Sequence, residues 1–82
     1  SMIATVRAGA SAGEIREDVA QDLENVLGQL RQQVMSGQAV DYGWWSGTLR
    51  TKVAQRASEH AITDSYAQRL LSDVDALSHS TT

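Results

Sequence analysis

The sequence predicts an all-α fold: a long N-terminal helix packed antiparallel on two shorter helices, or on one kinked helix, with a Trp-rich turn between them. Three observations carry this. Apolar residues recur on one helical face at Ile15, Val19, Leu23, Val26, Leu30 and Val34. No proline interrupts the backbone ladder anywhere in the chain. The stretch Ser36–Gly47 holds both tryptophans and three of the six glycines, and it separates this pattern from a second helical region.

The bounds set by composition agree. Eighty-two residues make one domain, close to the size at which a single core is barely sufficient. With no cysteine, neither disulfides nor thiolate–metal bonds supplement that core. A net charge of −3 argues against broad nucleic-acid binding, which runs on phosphate neutralisation. No apolar run approaches the ~18 residues needed to cross a bilayer, and no basic segment followed by an apolar core marks a cleavable signal. The expected location is the cytoplasm, with export lacking a cleavable signal as the alternative. No internal repeat or interdomain linker is evident.

Residues 1–10 read as a flexible arm, because termini stay loose unless docked. A short strand or an extra helical turn are the other options for Met2–Ala8. A strand there would suit a ribbon-helix-helix DNA-binding dimer, although the following helix is long for that fold. Helix 1 is expected over 11–35. Ser11 and Glu14 form a Ser-x-x-Glu capping box at its start, and Gly37 suits the left-handed residue after its end. Gly28 interrupts it, either as a tolerated defect or where another helix crosses closely. Its acids (Glu14, Glu17, Asp18, Asp22, Glu24) suit the macrodipole at the start and a solvated face beyond.

The aromatic turn covers 36–47. Helix 2 is expected over 48–61, capped by Ser46 or Thr48, with Leu49, Val53, Ala57 and Ala61 on one face. Its bases Arg50, Lys52 and Arg56 oppose the acids of helix 1. Thr63-Asp64-Ser65 prefer caps to helix interiors, and the apolar phase jumps there to Ile62, Tyr66, Leu70, Val74 and Leu77. Helix 3 is therefore expected over 64–78 with Asp64 as cap, and a bent helix over 48–78 is the alternative. Residues 79–82 read as a disordered tail.

Catalytic and metal chemistry finds no support. His60–Asp64 and Asp75–His79 each place two groups one turn apart, but a zinc site wants three or four ligands. The carboxylates lie on solvated faces, and no phosphate loop or nucleophile elbow is present. No cofactor, no metal and no enzymatic activity are expected. What stands out is the aromatic turn, whose Tyr and Trp types dominate interface hot spots.

Tyr42, Trp44, Trp45 and Arg50 are accordingly the candidate partner-binding residues. Neighbouring side chains point in different directions, so one tryptophan plugs the bundle while the other faces a partner. Trp45, one turn from Leu49, is the plug, and Trp44 with Tyr42 the contact. Adjacent apolar residues exceed what one intramolecular seam needs. A homodimer is expected, with Leu23, Leu27, Leu30 and Leu71 at its interface.

Trp45-Ser46-Gly47 is a Trp-x-Gly tripeptide between two helical regions near mid-chain. In this the chain resembles the WxG, early-secreted-antigen-like proteins of type VII secretion. The resemblance implies a non-enzymatic, exported helical-hairpin dimer with the tripeptide in its turn. The chain departs from that pattern at Tyr66, which Leu70 rather than an acid follows four residues on. The leading expectation is a small non-catalytic adaptor or inhibitor, of the kind phages and mobile elements encode, that occupies a surface of a protein partner. The secreted WxG-type dimer is the second reading. A small DNA-binding regulator using Arg50, Lys52 and Arg56 is the third.

Overall fold

The computed structural model describes residues 1–79 of the 82. Among them are four α-helices: α1 (Met2–Ser11), α2 (Glu17–Met35), α3 (Tyr42–Ser58) and α4 (Asp64–His79). The all-α fold class holds, but the chain is divided differently from the sequence expectation. Of the predicted tail, His79 closes α4, and 80–82 lie outside the described residues.

The predicted arm is a docked helix. Ser1 caps α1 by accepting from the Ala4 amide, and the helix buries Val6 completely. Thr5 Oγ1 donates to Asp73 Oδ2 on α4 at 2.8 Å, and Arg7 Nε to Glu24 Oε1 on α2 at 2.8 Å. Gly9 makes this docking possible. A Cβ there would run into Ile15 Cδ1 and lie 2.8 Å from Tyr66 Cδ1, so the missing side chain lets α1 sit against both. Gly28, with a tolerated defect and a close helix crossing as its two readings, faces open space, which leaves the tolerated defect.

Ser11 and Glu14 do not form a capping box. Ser11 is the last residue of α1, and the segment from Ala12 to Arg16 is a turn. Gly13 takes a left-handed φ of 74°. Its amide donates to Ala10 O at 3.1 Å, and the next amide, Glu14, donates to Gly9 O at 2.8 Å. This is the Schellman pattern that ends helices, so the Ser-x-x-Glu spacing falls at a C-terminus instead of a start. The predicted helix 11–35 is in fact the end of α1, this turn and α2.

The aromatic stretch is likewise helical in its second half. Gly37 follows α2 with φ of 77°, and Asp41 caps α3 by accepting from the Trp44 amide at 2.9 Å. Gly43, Trp44, Trp45 and Gly47 therefore lie inside α3, and the connection shrinks to residues 36–41. A glycine within a helix costs only about 1 kcal/mol, which the cap and the burial of Trp45 offset. The break near residue 63 is present. α3 ends at Ser58, and the Thr63 hydroxyl, rather than Asp64, accepts from the Tyr66 amide ahead of α4.

An internal repeat absent from the sequence reading emerges in the turns. In the second turn the His60 amide donates to Ala57 O at 3.0 Å and the Ala61 amide to Arg56 O at 2.9 Å. His60 takes φ of 63°, the counterpart of Gly13. Each bond lies 47 residues on from its equivalent in the first turn, and at that shift Val6 matches Val53, Ile15 matches Ile62 and Leu23 matches Leu70. All six are fully buried or nearly so. The chain is thus two helix–turn–helix units, α1–α2 and α3–α4. An antiparallel bridge between Ile15 and Ile62 joins their turns.

Contacts between neighbouring helices fix the sense of packing. Thr5–Asp73 and Gly9–Tyr66 run α1 counter to α4, and Asp22–Lys52 and Gln33–Trp45 run α2 counter to α3. The two turns meet at one end. The starts of α1 and α3 and the ends of α2 and α4 gather at the other.

Candidate functional site

The open end carries the exposed large apolar side chains. Trp44 is 58% exposed, Val34 47% and Met35 73%. Trp45 is only 6% exposed and points into the bundle, where its indole Nε1 donates to Gln33 Oε1 at 3.2 Å. Trp44 stands edge-on to it, with ring centroids 4.9 Å apart and planes at 86°. This T-shaped pairing is favourable, and it braces an exposed indole against a buried one. Of the two tryptophans, Trp44 alone offers a free face. Tyr42 is half-buried at the first position of α3.

Beside Trp44, small residues at Gly43, Gly47, Thr48 and Thr51 floor an open hollow of about 510 Å³. Separately, the start of α1 and the second half of α2 leave an apolar groove of about 310 Å³. Met2, Ile3, Leu27, Leu30, Arg31 and Val34 line it. The sequence reading missed this groove because it treated Met2 and Ile3 as part of a loose arm. The signal was the run of α2's apolar face as far as Val34, beyond anything in the expected hairpin that could cover it.

Other predicted residues are engaged elsewhere. Arg50 Nη2 is held by Asp75 Oδ1 at 2.6 Å, on the exposed surface between α3 and α4. Lys52 pairs with Asp22 at 3.0 Å and Arg56 with Glu59 at 3.2 Å, so the three bases suggested for DNA contact each lie against an acid of the same chain. Leu23 is completely buried in the chain's own core, and Leu30 is nearly so, with an edge on the groove. Leu27 and Leu71 are half-buried and packed against that core. Trp45-Ser46-Gly47 lies within the first turns of α3.

Arg31 differs from the other bases. Arg7, Arg16, Arg50, Lys52 and Arg56 are in ion pairs, and the Arg69 guanidinium lies 4.8 Å over the Tyr66 ring. Arg31, on the groove wall, has no such partner among the described residues. Among the same residues no cluster of His, Asp or Glu has the makings of a metal site. No helix among the described residues is long and apolar enough to cross a membrane. A comparison with protein-family models finds no match, and neither do comparisons with characterised proteins and with solved structures.

Proposed function

We propose that this chain is a non-catalytic protein-interaction module, an adaptor or inhibitor that occupies a protein surface with the open end of its bundle. The observation that carries the reading is Trp44: an indole 58% exposed, yet braced edge-on by the buried Trp45. An exposed aromatic held in one orientation loses little side-chain entropy on binding, which is what a hot-spot residue requires. Val34 and Met35 are the other exposed large apolar side chains of that end. The small residues of α3 beside Trp44 let a partner backbone approach closely.

Affinity capture from an extract of the source organism, read by mass spectrometry, tests this with the unmodified chain and Trp44→Ala side by side. The expected result is one protein retained by the unmodified chain and lost with Trp44→Ala, while that variant stays folded at the temperature of the capture. Capture that is indifferent to Trp44 overturns the assignment of the surface.

A further inference from the structure

The two halves of the chain repeat, but they differ at the open end. In the second half, α3 runs on ahead of Leu49 for nearly two turns, Tyr42 to Thr48, and buries Trp45 there. Met2 is the counterpart of Leu49 at the 47-residue shift. The groove of Met2, Ile3, Leu27, Leu30 and Val34 lies open at that place.

We infer that the groove takes the Trp44 of a second copy of this chain, in a reciprocal dimer across the open ends. This rests on the reading of the open end as a docking surface and names its occupant. A groove of about 310 Å³ is of a size to receive one indole, and Trp44 is the exposed indole of the same end. Charge agrees with shape. Among the described residues, Arg31 on the groove wall has no ionic or ring partner, and Asp41, which caps α3 three residues before Trp44, is in no ion pair. Docking Trp44 into the groove brings this acid toward that base, and the Arg31 guanidinium toward the indole face. Both patches lie at one end of the molecule, so a two-fold axis can satisfy both contacts at once, as an isologous interface does.

Sedimentation equilibrium from about 1 µM to about 1 mM, the range of weak to moderate association, reads the outcome. The unmodified chain should be a dimer within that range. Trp44→Ala removes the inserted side chain and Val34→Glu spoils the groove; each should weaken self-association by at least about tenfold. Both positions are exposed, so circular dichroism should show both variants folded, with Trp44→Ala melting no more than roughly 8 °C below the parent. A mixture of the two variants retains one intact contact, Trp44 of one with the groove of the other, and should form a mixed dimer that neither forms alone. A monomer throughout the range, dimers indifferent to both substitutions, or a mixture that stays monomeric overturns the inference. If a monomeric chain still captures another protein through Trp44, the inference fails and the wider reading stands. If both substitutions abolish self-association while no other protein depends on Trp44, the inference stands and the adaptor reading falls.

Discussion

Ile15 and Ile62 pair across an antiparallel bridge, and their side chains are almost completely buried beneath it. The Arg16 amide donates to Ala61 O at 2.8 Å and the Thr63 amide to Glu14 O at 2.9 Å, two reciprocal bonds that tie one turn to the other. The main chain is therefore cross-linked at one end of the bundle. α2 and α3 are joined by two side-chain bonds, Lys52 to Asp22 nearer the turns and, toward the open end, Trp45 to Gln33. Local opening takes least free energy where backbone ties are fewest, so the end that carries Trp44 is also the adaptable one.

Gly9 and Gly28 should respond oppositely to the same substitution. Gly28→Ala adds a methyl group to open space inside α2 and should stabilise the fold by about 1 kcal/mol through helix propensity alone. Gly9→Ala gains the same propensity but drives a Cβ into Ile15 and Tyr66, at the contact that seats α1. Overpacking of that kind costs about 1–3 kcal/mol, so a net loss is expected. Urea unfolding of the two variants decides it, and equal shifts would mean that α1 is not seated as described.

His60 occupies a left-handed position that its counterpart fills with Gly13. A non-glycine residue there costs about 1 kcal/mol or more. His60→Gly should raise stability by about that amount, which for a domain of this size is a rise of roughly 4–8 °C in Tm. Gly13→Ala should lower it similarly, since the space around Gly13 is open and only the backbone objects. A thermal melt in which His60→Gly has no effect would show that the turn is not held at that φ.

These two turns also mark what the sequence conceals. The stripe from Ile15 to Val34 is legible as helix because it keeps one period. The break near 63 is legible because Thr63-Asp64-Ser65 and a phase jump coincide. The boundary at Gly13 is not, because Ser11 and Glu14 imitate a helix start and Gly9 gives no local sign of the contact it serves. Nor does α1 announce itself, since Val6 is its one fully buried side chain and its remaining ties are made by Thr5 and Arg7 to distant helices. At the site, the inward Trp45 and outward Trp44 follow from their spacing to Leu49. The groove needed α1 to exist first.

At the closed end, the hydrogen bond from Arg16 Nε at 2.6 Å, with the guanidinium charge behind it, holds the Asp18 carboxyl below the usual carboxylate range. The Arg16 guanidinium is raised in turn by that bond. A carboxyl whose pKa is lowered on folding contributes stability that is fully present above its unfolded value. That contribution is lost as pH falls through the folded value. Both side chains are exposed, so it is small. An NMR titration should show Asp18 with a midpoint below the ordinary one, and Arg16→Gln should return it upward. An unchanged midpoint in that variant would assign the depression to the start of α2 instead.

The two tryptophans should separate stability from binding. Trp45 is buried one turn before Leu49 and carries the bond to Gln33. Trp45→Ala empties a large aromatic site and strands that amide, so a loss of about 3–5 kcal/mol is expected. Trp44 is more than half exposed, and what its removal costs the fold is chiefly the edge-on contact with Trp45, about 1 kcal/mol. In binding the order reverses. Trp44→Ala should weaken the interface, whether with a second copy or another protein, by about 2 kcal/mol or more, as hot-spot truncations do. Denaturant unfolding beside a binding titration measures both quantities on the same samples. If Trp44→Ala unfolds as readily as Trp45→Ala, both indoles serve as the plug, and the contact surface then lies with Val34, Met35 and the groove between α1 and α2.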